Sequence, residues 1–185
     1  GFITDMGFET YQKILAEAME ELGFETGISS RSSGDNFVSD CTIETDQLAL
    51  IPDSYIDMTA EKIRIYKELD SLTSEKDLIN MKNRLTDRFG KMPVELERLF
   101  DIVRIRQLGQ KLGFEKIIIK NGVMIAFFIT NPLSQYYRSD RFSKVLENVN
   151  LNPKLFEIKQ PDGRLRIMVR NVDGISKAYD ILKKL

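Results

Sequence analysis

Leu85-Thr86-Asp87-Arg88-Phe89-Gly90-Lys91-Met92-Pro93 is a junction between two helices. The apolar residues leading into it, Leu78, Met81, Leu85 and Phe89, recur at steps of three and four. That spacing predicts a helix ending at Phe89. Gly90 can take the left-handed cap conformation that a Cβ resists. Pro93 falls near the first position of the following helix, where its missing N–H costs nothing. The run carries no catalytic residue set. Its chemistry is the Asp87-Arg88 pair in the last turn, which suggests a rigid docking surface rather than an active site.

Helices are predicted on both sides of the junction. Ser74 with Asp77 has the spacing of a capping box for the helix that ends at Phe89. Before it, Ile63, Ile65, Tyr66, Leu69 and Leu72 mark a helix over about 60–71, with Asp57 or Thr59 as its cap. After Pro93, Leu96, Leu99, Phe100, Val103, Leu108 and Leu112 mark a third helix that stops at Gly113. Upstream, residues 7–22 read as a separate amphipathic helix, with Phe8, Tyr11, Ile14, Leu15, Ala18, Met19 and Leu22 on one face. The Ser/Gly-rich stretch 26–37 reads as a flexible loop. Cys41 to Leu50 favours extended structure, closed by Pro52.

Downstream of Gly113 the period changes from helical to alternating. Lys116–Ile119 and Val123–Ile129 flank Lys120-Asn121-Gly122, a hairpin signal. Residues 139–149 read as a helix, with Phe142, Val145, Leu146 and Val149 on one face. Leu155–Lys159 and Leu165–Val169 form a second hairpin around Pro161-Asp162-Gly163. Asp173 can cap a last helix carrying Ile175, Ala178, Tyr179 and Leu182. The expected fold is α+β: a three-helix N-terminal layer, then a β-β-α-β-β-α unit with a small, mainly antiparallel sheet. The expected organisation is a linker helix over 1–22, a flexible loop over 23–40 and an α+β domain over 41–185. The abrupt start on a helix points to a segment of a longer protein.

Composition narrows the function. Twenty-seven basic and 28 acidic residues leave a net charge of −1, which argues against a broad basic footprint while leaving room for a local patch. With no histidine, there is no His general base, His triad or His-ligated metal site. A single cysteine, Cys41, rules out an intrachain disulfide and thiolate clusters, and fits a cytoplasmic protein. Nothing in the first 25 residues resembles a signal peptide. The longest apolar run, Val123 to Ile129, is far too short to span a membrane.

The remaining candidate sites are weak. Gly90-Lys91 is followed by Met92 and lacks the preceding glycine of a phosphate-binding loop. Glu20-Glu21 and the Asp53, Asp57 pair show no sign of the burial that acid–base work requires. Arg98, Arg104, Arg106 and Lys111 give the third helix a basic face, but Glu95, Glu97 and Asp101 interleave at salt-bridge spacing. Tyr136-Tyr137-Arg138 with Arg141 is a possible base-stacking loop, weighed against plain packing of the tyrosines.

Four motifs, in order and at matching spacing, resemble the C-terminal domain of the bacterial transcription-repair coupling factor family. They are Ala49-Leu50-Ile51-Pro52-Asp53-Ser54-Tyr55-Ile56 with Arg64-Ile65-Tyr66-Lys67, then Leu85–Gly90 with Pro93, then Asp101-Ile102-Val103-Arg104-Ile105-Arg106, then Gln110-Lys111-Leu112-Gly113. The N-terminal Gly7-Phe8-Glu9-Thr10-Tyr11 resembles the helix that leaves the family's RecG-like translocation motif. The likeness covers about residues 1–22 and 46–129 and fades after 130.

The resemblance implies a non-catalytic piece of an ATP-dependent DNA translocase. The parent's ATP- and magnesium-binding motor motifs would lie upstream, so no cofactor is expected here. In such a family the domain docks on a UvrB-like module of the same polypeptide, masks the surface that UvrA binds, and restrains the motor until RNA polymerase is engaged. RNA polymerase and DNA would be partners of the parent. Asp87 matches an acidic docking position, Arg84 stands where the family has a second acid, and Arg88 completes the expected cluster. Gly90 and Pro93 would shape the junction. The alternative expectation is a nucleic-acid-binding module that contacts DNA behind the stalled polymerase.

Overall fold

In the computed structural model, which describes residues 37–185, the chain divides into two units. The helix expected over 7–22 and all but the last residue of the loop expected over 26–37 lie outside the described residues.

The first unit contains Leu48–Val103 and is built from helices. These are α1 (Thr59–Ser71), α2 (Glu75–Phe89) and the first half of α3 (Val94–Leu112). Each turns one apolar stripe inward. Ile65, Tyr66 and Leu69 from α1 meet Leu78, Met81 and Leu85 from α2, and Leu96, Leu99, Phe100 and Val103 from α3. Truncating one such side chain, for instance Leu78→Ala, costs about 2–5 kcal/mol through lost burial and the cavity left behind.

Helix ends in this unit follow the sequence in part. Ser74 caps α2, its hydroxyl accepting from the Asp77 N–H at 3.2 Å. Gly90 ends α2 with φ +89° and ψ −168°, and its N–H donates to the Thr86 carbonyl at 2.9 Å. That is the glycine-only extended region at positive φ rather than the left-handed helical cap expected. Neither Asp57 nor Thr59 caps α1; Met58 occupies that position and makes no side-chain cap bond. Pro93 lies immediately before α3, near its first position as expected. Its carbonyl accepts from the N–H groups of Leu96 and Glu97, each at 3.1 Å, so it opens the helix through its oxygen.

The second unit contains residues 37–47 and Arg104–Leu185. Its five-stranded sheet runs in the order β1 (Thr42–Thr45), β2 (Phe114–Lys120), β3 (Val123–Phe128), β5 (Arg166–Arg170), β4 (Glu157–Lys159). The β1–β2 pair is parallel and the other three are antiparallel. The two hairpins, helix α4 (Asp140–Leu151) between them and helix α5 (Ile175–Leu182) at the end give the expected β-β-α-β-β-α order. The segment before the helices, expected only to be extended, adds β1 to the sheet. One sheet face is buried through Ile117, Met124, Ala126, Phe128, Ile167 and Val169. Phe142 of α4 packs edge-on to Phe128 there, with ring centroids 5.5 Å apart.

Asp173 does not cap α5. Gly174 takes the cap position with φ +117°, and the Gln47 side-chain oxygen accepts from the Ile175 N–H at 3.1 Å. A residue 128 positions away thus supplies the acceptor that the local sequence seemed to offer. Cys41 is 1% exposed, and burial, followed by the Asp40 charge, pushes its thiol up to about 12.

Two glycines separate backbone strain from crowding. A Cβ on Gly113 would lie 2.2 Å from the Tyr136 ring, at φ +94°, whereas one on Gly90 would meet nothing within 4 Å. Gly90→Ala should therefore cost only the strain of positive φ, about 1–3 kcal/mol. Gly113→Ala should add an overpacking cost of about 1–3 kcal/mol. Urea unfolding of the two variants checks the difference.

Candidate docking site

The last two turns of α2 place Arg84, Asp87 and Arg88 at the surface. The inward stripe of Leu78, Met81 and Leu85 fixes how the helix is rotated. The outward face is then Lys76, Asn80, Asn83 and Asp87, all exposed, with Ile79 beside them at 47% exposure.

The two arginines point toward α1. Arg84 pairs with Glu68, and Arg88 Nη2 lies 2.6 Å from Glu61 Oε1. The order is antiparallel: the later arginine meets the earlier acid. Glu61 also takes Arg64 from its own helix. These contacts hold its carboxyl below the usual carboxylate range, Arg64's hydrogen bond first and Arg88's after it. Arg88 additionally covers the Phe89 ring, its Cζ 4.8 Å from the centroid. Such solvent-screened pairs add little to stability. They decide which charges are free at the surface, while the core holds the helices together.

Asp87 is different. Its side chain is exposed, and among the described residues no hydrogen bond or ion pair engages its carboxylate. The structure thus brings the three predicted residues to one surface and divides their roles: Arg84 and Arg88 bind α1, and Asp87 faces outward uncompensated.

Tyr55 holds the junction in place. Its hydroxyl lies 2.8 Å from the Gly90 carbonyl oxygen and 3.1 Å from that of Leu85. One proton serves one carbonyl at a time. Its ring also packs on Phe89, with centroids 5.8 Å apart. Burial raises the pKa of this hydroxyl above its ordinary value. Tyr55 is itself anchored by its loop: the Ile51 N–H donates to the buried Tyr66 hydroxyl at 3.0 Å, and Asp53 pairs with the buried Lys62. In the sequence this loop is marked by Pro52, which closes the extended stretch, and by the Ala49–Ile56 motif.

The base-stacking loop is not available as such. Tyr136 is fully buried, and its hydroxyl donates to the Leu112 carbonyl. Tyr137 donates to the Ile129 carbonyl. The basic face of α3 is also engaged: Arg98 donates to the Leu48 carbonyl at 3.2 Å, Arg106 pairs with Asp40 at 2.7 Å, and Glu97 pairs with Lys82 at 3.5 Å. No group of metal-ligating side chains occurs among the described residues. None of the described helices is long and apolar enough to cross a membrane.

Comparison with known proteins bears on the family and the fold. Residues 45–139 match the TRCF domain family model. The chain is 34% identical over 172 residues to a transcription-repair-coupling factor of Staphylococcus epidermidis, covering 92% of this chain and 13% of that protein. It is 31% identical over 185 residues to one from Rickettsia typhi, covering 98% of this chain and 15% of that protein. Its fold is similar to a crystal structure of the C-terminal domain of transcription-repair coupling factor, with a TM-score of 0.61 and 19% identity. That match covers 78% of this chain and 86% of the other. The chain therefore spans a small part of the length of these curated relatives.

Two measurements probe the site. Tyr55→Phe should lower stability by about 0.5–1.5 kcal/mol, the usual net value of one hydrogen bond, in urea unfolding. The contribution of Glu61 should depend on pH. Its folded pKa is lowered, so its stabilisation is complete above the unfolded value near 4.5 and is lost as pH falls through the folded value. The stability gap between the parent chain and Glu61→Gln should accordingly close in acid.

Proposed function

This chain belongs to the transcription-repair coupling factor family, through its TRCF domain, and from that premise we propose that it is a non-catalytic regulatory domain acting by docking. Its partner is the UvrB-like module of the same polypeptide. Docked, it masks the surface that UvrA binds and restrains the DNA translocase, whose ATP site lies elsewhere in the parent. RNA polymerase engagement releases it.

The observation that carries this reading is Asp87, an exposed carboxylate left unpaired while its neighbours Arg84 and Arg88 are committed to Glu68 and Glu61. A basic side chain on the partner is its natural complement. Ile79, exposed on the same helix, supplies apolar contact nearby. Arg84 replaces an acid at the family's second docking position, and its pairing with Glu68 limits how far it offsets Asp87.

The energetics suit a releasable clamp. A rim carboxylate facing a cation favours specificity and association rate over raw affinity. A partner in the same polypeptide is present at high effective concentration, so a weak contact suffices. A few kcal/mol of differential binding by the activating partner then shifts the population to the open state.

Removing the Asp87 charge should open the clamp. Asp87→Ala in the full-length factor is expected to raise UvrA capture in a pull-down several-fold, in line with the loss of about 1 kcal/mol of rim interaction. Unchanged capture would remove Asp87 from the docking surface.

A further inference from the structure

The sheet buries one face and leaves the other partly open, and its register gathers charge on the open one. Lys116, Phe127, Arg166 and Lys159 stand side by side on four neighbouring strands, β2, β3, β5 and β4. Phe127 is only 7% exposed because Arg164 and Arg166 both lie on its ring, their Cζ atoms 4.5 and 4.8 Å from the centroid.

Among the described residues, neither of these two guanidinium groups meets a carboxylate, and the Nε of each is buried without an acceptor. The carboxylates that the described residues bring to the row stand toward its ends, where each is shared by two cations. Glu44 lies 2.9 Å from Lys116 and 3.6 Å from Lys120. Glu157 lies 3.2 Å from Arg170 and 3.5 Å from Lys159. Each end keeps one positive charge uncompensated, and the centre keeps two. In a chain of net charge −1 this is a local excess, not a consequence of composition.

We propose that this open sheet face binds single-stranded nucleic acid, with phosphates crossing the strands along the Lys116–Arg166–Lys159 row. Three separated centres of excess charge span three strand spacings, roughly 14 Å. A repeating polyanion matches such a row better than a single anion does. The guanidinium groups stacked on Phe127, with half-buried Ile125 and Met168 in the next row, form a flat platform of the kind on which bases stack. An acidic peptide would meet the charge but would leave that platform without a planar partner. The face lies on the sheet unit, whereas Asp87 lies on the helical unit.

Fluorescence anisotropy of the 185-residue chain with labelled dT12 and U12 tests the proposal. Binding is expected at 50 mM salt and should weaken with a log–log slope of about −2 to −3, the value for three or four phosphates on a single strand. Arg164→Gln/Arg166→Gln should weaken it at least about fivefold. Lys120→Gln/Lys159→Gln, at two exposed positions away from the ring stack, should weaken it at least about threefold and decides the matter if the arginine variant is unstable. Arg84→Gln/Arg88→Gln should leave it unchanged. Absence of binding at 50 mM salt, indifference to both sheet variants, or equal competition by polyglutamate would each overturn the proposal.

Discussion

The hydroxyl of Tyr55 fixes where α2 ends. It reaches the carbonyl oxygens of Leu85 and Gly90, on either side of the break, and its ring rests on Phe89. The Gly90 carbonyl lies past the helix end and has no partner within the helix. Supplying one from a loop ties down the break that Gly90 makes and sets the direction in which the chain leaves. The loop is in turn tied to α1 through Tyr66 and Lys62. The positions of Asp87 and Arg88 follow from this chain of contacts.

Charge placement gives the helical surface its character. Four of the charged groups around the junction are used inside the unit, Glu61 and Glu68 against Arg88 and Arg84. None of these pairs contributes much stability at such exposure. Their effect is subtraction: they remove both arginines from the account a partner would read and leave Asp87. The sheet unit shows the converse. There two carboxylates are each divided between two cations, and two arginines are left over. A nearly neutral chain thus presents an acidic point on one unit and a basic row on the other.

Much of the fold was legible in the sequence because its signals are local. Apolar steps of three and four located α1, α2 and α3, and Asn121-Gly122 located the first hairpin. Ser74 read correctly as a cap because its acceptor and the Asp77 donor are three residues apart. The misreading at α5 has a tertiary cause. Asp173 had the right chemistry, but Gln47 reached the α5 N-terminus from another part of the chain. For Tyr136 and Tyr137 the favoured reading, plain packing over base stacking, holds: both hydroxyls are spent on backbone carbonyls and one ring is fully buried. Side-chain availability is a property of packing, and spacing along a chain does not report it.

The sequence by itself determined the elements, their order, the α+β class and the junction at Gly90, since propensity, periodicity and turn chemistry act over a few residues. It also excluded histidine chemistry outright, and its motifs pointed to the family. Tertiary structure alone decided which charges remain free. Asp87 and Arg88 are adjacent in the chain, but only the packing of α1 against α2 gives Glu61 to Arg88 and leaves Asp87 without a partner among the described residues. Likewise, only strand register sets Lys116, Phe127, Arg166 and Lys159 in one row. Pairing across a fold depends on distances between segments far apart in sequence, and those distances exist only once the cores have formed.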